Sequence, residues 1–147
     1  MRILGLDYGD KTIGIAVSDP LLITAFGVSI IRREDPNSFK KPLVKLREVV
    51  KEYQIERIVL GYPINLDNTE GERCIKTKDF KERLERNFKK IPIILWDERL
   101  STSFARMGLR EANLTSAKID NVIDKMAAVY ILQGYLEYIK KNEVDLT

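Results

Sequence analysis

The chain has 147 residues, a length that suits a single domain built around one hydrophobic core. Its formal net charge of +3 permits a polyanionic partner without requiring one. Histidine is absent, which excludes a nucleophile activated by histidine, a histidine general base and a histidine-rich zinc site. Hydrolytic chemistry would therefore depend on carboxylates, on lysine or on a metal ion held by oxygen atoms.

The only cysteine, Cys74, lies in the polar stretch EGERCIKT and cannot form a disulfide within the chain. The sequence contains neither a signal peptide nor an apolar run of membrane-spanning length. We therefore expect residues 1–147 to form one cytoplasmic domain without a membrane partner. No catalytic role is expected for Cys74, because the residues around it lack the partners of a reactive thiol.

Apolar runs predict three strands at the start of the chain, over residues 2–8, 12–18 and 23–31, the first two joined by a tight turn at Gly9 and Asp10. The later elements alternate between helices and short buried strands. They are a helix over 38–53, a strand over 57–61, a charged helix that ends before Pro92, a strand over 93–96, and helices over 101–111 and 120–138.

This order predicts an α/β fold with a mixed five-stranded sheet, its first three strands antiparallel and its faces covered by helices. Ligands of such sheets gather beyond the carboxyl ends of the parallel strands. Asp7 lies at the end of the first strand, and Asp97 and Glu98 lie at the end of the last one. If these strands are neighbours, their carboxylates converge.

The last predicted helix supplies a third acid. Asp124 shares a helical face with Ala127, Ala128 and Ile131, and the alanines would let that face approach the sheet closely. We therefore expect Asp124 to point inward. Asp120 lies one turn earlier and is the alternative, although its position is more typical of a helix N-cap.

Converging carboxylates with no obligatory basic partner require a cation, and hard oxygen ligands favour Mg²⁺ or Mn²⁺ over zinc. Two such ions about 4 Å apart can activate a water molecule and stabilise the leaving oxygen in phosphodiester cleavage. Each acid taken alone would be an ordinary strand-end or capping charge. Together they predict a metal-dependent phosphodiester hydrolase.

Four ordered sequence blocks resemble those of the YqgF family and together span essentially the whole chain. They are LGLDYGDKTIGIAVSD, GYPINLDNTEG, LWDERLSTSFA and IDKMAAVYILQGYLE. Proteins of this family have a ribonuclease H-like fold and are known as Holliday junction resolvase-like proteins or as nucleases that mature the precursor of small-subunit ribosomal RNA. The resemblance implies that fold and a nuclease that acts at the 5′ end of pre-16S ribosomal RNA.

Carried over by position, the acidic residues of the family fall on Asp7, Glu98 and Asp124, and the resemblance implies that these three bind metal and catalyse. It thereby favours Glu98 over Asp97. Family members often carry a loop rich in lysine and arginine before the IDKMAA block. Here that segment, MGLREANLTSAKIDNV, is only sparsely basic, so the carry-over does not extend to how this loop would hold a substrate backbone.

Lys11, Thr12 and Arg99 are candidates for contacts with phosphate. Lys11 and Thr12 follow the first strand, where an ammonium group, a hydroxyl and turn amides could meet a phosphate, or could form an ordinary hairpin turn. Arg99 could hold the scissile phosphate or the charge of the transition state, or could pair with Asp97.

Asn65 and Thr69 are further candidates, because they lie in the loop after the 57–61 strand, where substrate contacts commonly form. Thr69 has an alternative role as the cap of the following helix, with Glu72 completing a capping box.

Two other interpretations of the same site remain open. A Holliday junction resolvase acting on branched DNA would need two active sites related by two-fold symmetry, and therefore a homodimer rather than a monomer. A nucleic-acid-binding regulator would carry an inactive site. The first block also resembles the first phosphate loop of the sugar kinase, heat-shock ATPase and actin superfamily, but those proteins hold ATP between two such domains.

Overall fold

A mixed five-stranded sheet forms the centre of the molecule. The computed structural model describes the backbone of residues 1–98 and 116–142, and the side chains of residues 1–98 and 126–142. The strands are β1 (Arg2–Tyr8), β2 (Thr12–Ser18), β3 (Ala25–Arg32), β4 (Ile55–Tyr62) and β5 (Ile93–Asp97). The helices are α1 (Lys40–Tyr53), α2 (Glu72–Asn87) and α3 (Ser116–Lys141).

The strands lie in the order β3-β2-β1-β4-β5. Strand β2 is antiparallel to β1 and β3, whereas β4 is parallel to β1 and β5. The predicted mixed sheet is confirmed. The ends of β1, β4 and β5 and the start of β2 therefore lie along one side of the sheet, which we call the carboxyl rim.

Some element boundaries differ from those predicted. Strand β4 begins at Ile55 because Gln54, with a left-handed φ of 53°, ends α1 and turns the chain directly into the strand. Helix α3 already includes Ser116, so Asp120 lies inside it and the prediction that Asp120 is its N-cap is wrong. The helix predicted over 101–111 lies outside the described residues. None of the helices described has both the length and the apolar character needed to cross a membrane.

Alternate residues of β1 contribute to two hydrophobic cores. Leu4 and Leu6 belong to the core on the face where α1 and α2 pack. Ile3 belongs to the core on the other face, together with α3. Because side chains along a strand alternate between faces, Gly5 and Asp7 also lie on the α3 face. Helices cover both faces of the sheet, as predicted.

Gly5 allows α3 to lie directly against β1. A Cβ atom at position 5 would be 2.7 Å from the Cβ of Leu132 and 3.1 Å from the carbonyl oxygen of Ala128. Non-bonded carbon atoms are in optimal contact at about 3.5–4.0 Å. A side chain at position 5 would therefore force the helix away from the sheet.

The direction of α3 follows from its contacts with β4. Near the start of β4, the Nη1 atom of Arg57 donates a hydrogen bond of 2.9 Å to the hydroxyl of Tyr135. Near the end of β4, Gly61 faces Ile131, whose Cδ1 would lie 2.6 Å from a Cβ at position 61. Earlier helix residues thus lie beside later strand residues. Helix α3 runs antiparallel to β4 and β1, with its amino-terminal part toward the carboxyl rim.

We expect Gly5→Ala to lower the free energy of unfolding by about 1–3 kcal/mol, the range typical of an overpacked contact. The matched control is Gly27→Ala at an exposed position of β3 in the same sheet, which should change stability by less than about 0.5 kcal/mol. Urea unfolding of both variants measures the difference. Equal stability of the two variants would show that the approach of α3 does not depend on the bare backbone at Gly5.

Candidate active site

The carboxyl groups of Asp7 and Glu98 meet at the carboxyl rim. Asp7 is the next-to-last residue of β1, and Glu98 directly follows β5. The backbone N–H of Glu98 donates a hydrogen bond of 3.1 Å to the carbonyl oxygen of Tyr62, at the end of β4. A hydrogen bond joins the side chains of Asp7 and Glu98. The two acids thus lie together even though β4 separates their strands.

Gly61 makes this approach across β4 possible. The parallel register pairs Leu6 with Leu60, so Gly61 is the next position along β4, beside Asp7. A Cβ atom at Gly61 would be 2.9 Å from the Cγ of Glu98. The side chain of Glu98 therefore passes over the bare backbone of β4 to reach Asp7.

The pKa of Glu98 is raised from 4.5 to about 8. Burial is the largest cause, followed by the charge of Asp7 and the hydrogen bond with it. Arg73 opposes this rise, and the charge of Asp97 adds a smaller increase. Two adjoining carboxyl groups at a partly desolvated position cannot both ionise at low cost. At neutral pH and without a cation, the pair therefore shares a proton.

The spacing of α3 along β1 puts position 124 level with Asp7. Ala128 lies over Gly5, and the two strand residues from Gly5 to Asp7 advance by about 6.6 Å. Four helix residues rise by about 6 Å. Because α3 runs antiparallel to β1, the helix position level with Asp7 is that of Asp124, whose side chain lies outside those described.

Among the described side chains, no group of three or more carboxylates or thiolates is arranged to hold a metal ion. The described part of the site is thus the pair formed by Asp7 and Glu98.

Lys11 lies in the turn between β1 and β2, and Thr12 is the first residue of β2. The N–H of Gly9 donates to the carbonyl oxygen of Thr12 at 2.9 Å, and the N–H of Arg33 donates to that of Lys11 at 2.8 Å. Nη1 of Arg33 also donates to the carbonyl oxygen of Gly9 at 2.8 Å. These bonds fix the turn and leave the Lys11 side chain exposed at the rim. Contact of Lys11 or Thr12 with phosphate stays a prediction.

Asn65 and Thr69 are linked to each other within the loop from β4 to α2. The Nδ2 atom of Asn65 donates to the hydroxyl of Thr69 at 3.0 Å, and that hydroxyl donates to Oδ1 of Asp67 at 2.5 Å. Helix α2 begins at Glu72 after Gly71 as its N-cap, with no side-chain cap among the described residues. The predicted capping box is therefore wrong, because α2 begins too late for Thr69 to cap it and the Thr69 hydroxyl accepts from Asn65 inside the loop.

A hydrogen bond and an ion pair hold the end of this loop to β4 and to α2. The hydroxyl of Tyr62 donates to Glu70 at 2.7 Å, and Lys78 on α2 lies 3.1 Å from the same carboxylate. These two contacts lower the pKa of Glu70 from its usual value. The loop that carries Asn65 and Thr69 is therefore held in place from β4 and from α2, and their contact with substrate stays a prediction.

Asp97 and Arg99 flank Glu98 in the sequence, and the described residues include only Asp97. Asp97 is the last residue of β5 and pairs with Tyr62 in the ladder with β4. Its charge acts on Glu98 from the adjacent position. Arg99 lies outside the described residues, so the role predicted for it is untested.

Sequence reasoning missed Arg73. It lies exposed in the first turn of α2, and its charge acts on Glu98. The helix carries opposite charges one turn apart, in pairs such as Arg83 with Asp79, and Arg73 is not distinguished within that pattern. The signal that could have identified Arg73 is its place at the start of a helix that begins at the carboxyl rim.

Comparison with known proteins establishes the family. A family model described as "RuvX: Holliday junction resolvase" matches residues 1–138. The chain belongs to the RuvX/YqgF family. The family predicted from the four sequence blocks is thus confirmed.

Two bacterial proteins of similar sequence match nearly the full chain. A protein of Agathobacter rectalis named "Putative pre-16S rRNA nuclease" is 49% identical over 142 residues, which cover 97% of this chain and 99% of that protein. A protein of Desulfitobacterium hafniense with the same name is 50% identical over 142 residues, which cover 97% of this chain and 96% of that protein.

Solved structures share the fold of this RuvX/YqgF protein. RuvC of Thermus thermophilus has a TM-score of 0.60 and 14% identity, and the match covers 97% of both chains. T. thermophilus RuvC in complex with a Holliday junction substrate has a TM-score of 0.57 and 16% identity, and the match covers 95% of this chain and 96% of that one. The fold is ribonuclease H-like, as predicted.

We expect the metal-free protein to lose stability as the pH rises from about 5 to about 8. A carboxyl group whose pKa is raised from 4.5 to about 8 binds its proton more tightly in the native than in the unfolded state. The stability that this group contributes is therefore fully present below its pKa in the unfolded state. It is lost as the pH rises through its pKa in the native state. Urea unfolding in EDTA across this range measures the slope.

The same measurement on Glu98→Gln should give a much flatter dependence, because glutamine does not titrate. Glu56→Gln, the same substitution at an exposed position of β4, is the control and should keep the wild-type slope. An unchanged slope in Glu98→Gln would contradict the assignment of the titrating group.

Proposed function

We propose that the protein is a metal-dependent nuclease that hydrolyses phosphodiester bonds in structured RNA, with the precursor of small-subunit ribosomal RNA as its substrate in the cytoplasm. The observation that carries the proposal is the pair of Asp7 and Glu98, two hydrogen-bonded carboxyl groups at the carboxyl rim. The names of the relatives at 49% and 50% identity support the class of substrate.

The donor set of the site fits a hard divalent cation. Asp7 and Glu98 offer carboxylate oxygens that repel each other unless a proton or a cation lies between them. Oxygen ligands of this kind suit Mg²⁺ or Mn²⁺. Asp7, Glu98 and Asp124 would hold the metal. When bound, two ions would supply the activation of a water molecule and the stabilisation of the leaving oxygen.

The remaining roles follow from position. Arg99, next to Glu98, would hold the scissile phosphate. Lys11 and Thr12 at the turn, and Asn65 and Thr69 on the fastened loop, would orient the substrate strand around the acids. Sites built on strands and on loops fixed by hydrogen bonds hold reacting groups in place more accurately than mobile segments do.

A second candidate function is the resolution of branched DNA, which the description of the matching family favours. Discrimination between RNA and DNA depends on contacts with the sugar hydroxyl. Parallel cleavage assays on a pre-16S RNA fragment and a four-way DNA junction, with Mn²⁺ present, decide between the two. Binding without cleavage of either substrate would favour an inactive regulator.

Asp7→Asn should abolish cleavage of the preferred substrate while its affinity in EDTA changes by no more than a few-fold. Cleavage depends on the carboxylates that hold the metal, whereas affinity rests mostly on contacts with phosphates. Cleavage kinetics and binding in EDTA are measured in parallel, with Glu56→Gln as a control that makes the same carboxyl-to-amide change at an exposed position. If the variant cuts at nearly the wild-type rate, Asp7 does not take part in catalysis.

Asp124→Asn should likewise abolish cleavage, whereas Asp120→Asn should change the rate by less than about ten-fold. The two variants make the same chemical change one helical turn apart, and only position 124 is level with Asp7 by the spacings of strand and helix. Single-turnover cleavage rates with Mn²⁺ compare them directly. The reverse order of effects would show that Asp120, rather than Asp124, is the third metal ligand.

A further inference from the structure

A cleft on the α2 side of the sheet begins at the carboxyl rim. Its first part is lined by Tyr8, Asp10, Arg73 and Lys76, among others. It continues along α2 to Phe39 and Arg83, and Tyr8, Asp10 and Lys76 line both parts. We call this surface, defined by these six residues, the α2 cleft.

The cations of the α2 cleft form one stripe. Arg73, Lys76 and Arg83 follow one another at spacings of three and seven residues, which place them on the same face of a helix. The first and last of them are ten residues apart, or about 15 Å along the axis. The stripe thus leads from the acid pair, on whose Glu98 Arg73 acts, toward the far end of α2.

These cations can exchange their present partners for phosphate. Among the described residues Arg73 belongs to no ion pair. Lys76 and Arg83 pair with Asp10 at 3.2 Å and with Asp79 at 3.4 Å, but their side chains are 44% and 39% exposed. Exposed ion pairs of this kind contribute little to stability, so a phosphate can replace either carboxylate at little cost.

Arg83 is held ready for such a contact. Its guanidinium lies 4.0 Å from the centroid of the Phe39 ring, and that of Arg33 lies 5.2 Å from the same ring. A guanidinium stacked on an aromatic face keeps its N–H groups available along its edge, where phosphate oxygens bind. The Phe39 ring therefore serves as a support for arginine.

We propose that the α2 cleft binds the phosphate backbone of the substrate strand as it leaves the acid pair, with Arg73 nearest the reacting phosphate and Arg83 at the far end. This inference rests on the proposed nuclease function. It assigns a direction to the strand, along α2 rather than along α3. It also supplies cations from α2 in a chain whose segment before the IDKMAA block is sparsely basic.

The test measures RNA binding in EDTA, where no cleavage occurs, by fluorescence anisotropy over a range of salt concentrations. The probe is an RNA hairpin with single-stranded extensions at both ends. Each phosphate contact with single-stranded nucleic acid adds about 0.7 to the slope of log affinity against log salt. Arg73→Gln and Arg83→Gln should each reduce that slope by about this amount, and Arg83→Lys should retain it.

Arg86→Gln is the matched control, because Arg86 is an exposed arginine of the same helix that bonds back to the carbonyl oxygen of Glu82. Its slope should equal that of the wild type. Equal losses in Arg83→Gln and Arg86→Gln, or a loss in Arg73→Gln alone, would overturn the proposed path. Melting temperatures within a few degrees of the wild type show that each variant is folded.

The outcomes also separate this inference from the proposed function. Wild-type binding and cleavage with unchanged slopes in both cleft variants would overturn the α2 cleft alone. Absence of RNA binding by the wild-type protein would overturn both.

Discussion

The architecture depends on the close approach of α3 to the sheet over two glycines. At Gly5 a side chain would collide with Leu132, and at Gly61 it would collide with Ile131 and with Glu98. The bare backbone of two adjacent strands therefore leaves room both for the helix and for the side chain that passes over β4. The same feature that closes the hydrophobic core on the α3 face also brings Glu98 to Asp7. Core packing and site geometry are thus fixed by one constraint.

The acid pair opposes folding, and the two cores around it offset that opposition. Glu98 is buried beside Asp7, and both burial and the neighbouring charge favour its protonated form. On the other face of the sheet, Tyr8 stacks on Phe80 with ring centroids 4.2 Å apart, within a core shared by α1 and α2. An unfavourable charge arrangement kept at the rim of a well-packed sheet is typical of a functional site. A bound cation would relieve it.

The sequence predicts local features well and tertiary contacts poorly. The apolar runs of β1 and β2 predict both strands to the residue, because a buried strand at the centre of a sheet leaves a continuous apolar pattern. Asp7 and Glu98 could be named as candidates from their places at strand ends. Their convergence was predicted on the condition that β1 and β5 are neighbours, but β4 lies between these strands. The acids meet across β4 because of Gly61, which local pattern does not distinguish from any other strand glycine. The alternative in which Thr69 caps α2 failed because that helix begins after Gly71, and the Thr69 hydroxyl accepts from Asn65 within the loop.

The distribution of charge around the carboxyl rim suggests how an acidic site can meet an acidic substrate. Asp7 and Glu98 lie on the α3 face, and on their own they repel a phosphate. Arg73 lies at the same rim on α2, and its positive charge opposes the rise in the pKa of Glu98. Attraction for a polyanion would therefore come from the α2 side, where the binding energy does not depend on whether the acids are protonated. The groups that attract the strand are thus separate from those that hold the cation. This separation lets each set keep its function at neutral pH, in a chain that has no histidine to serve either purpose.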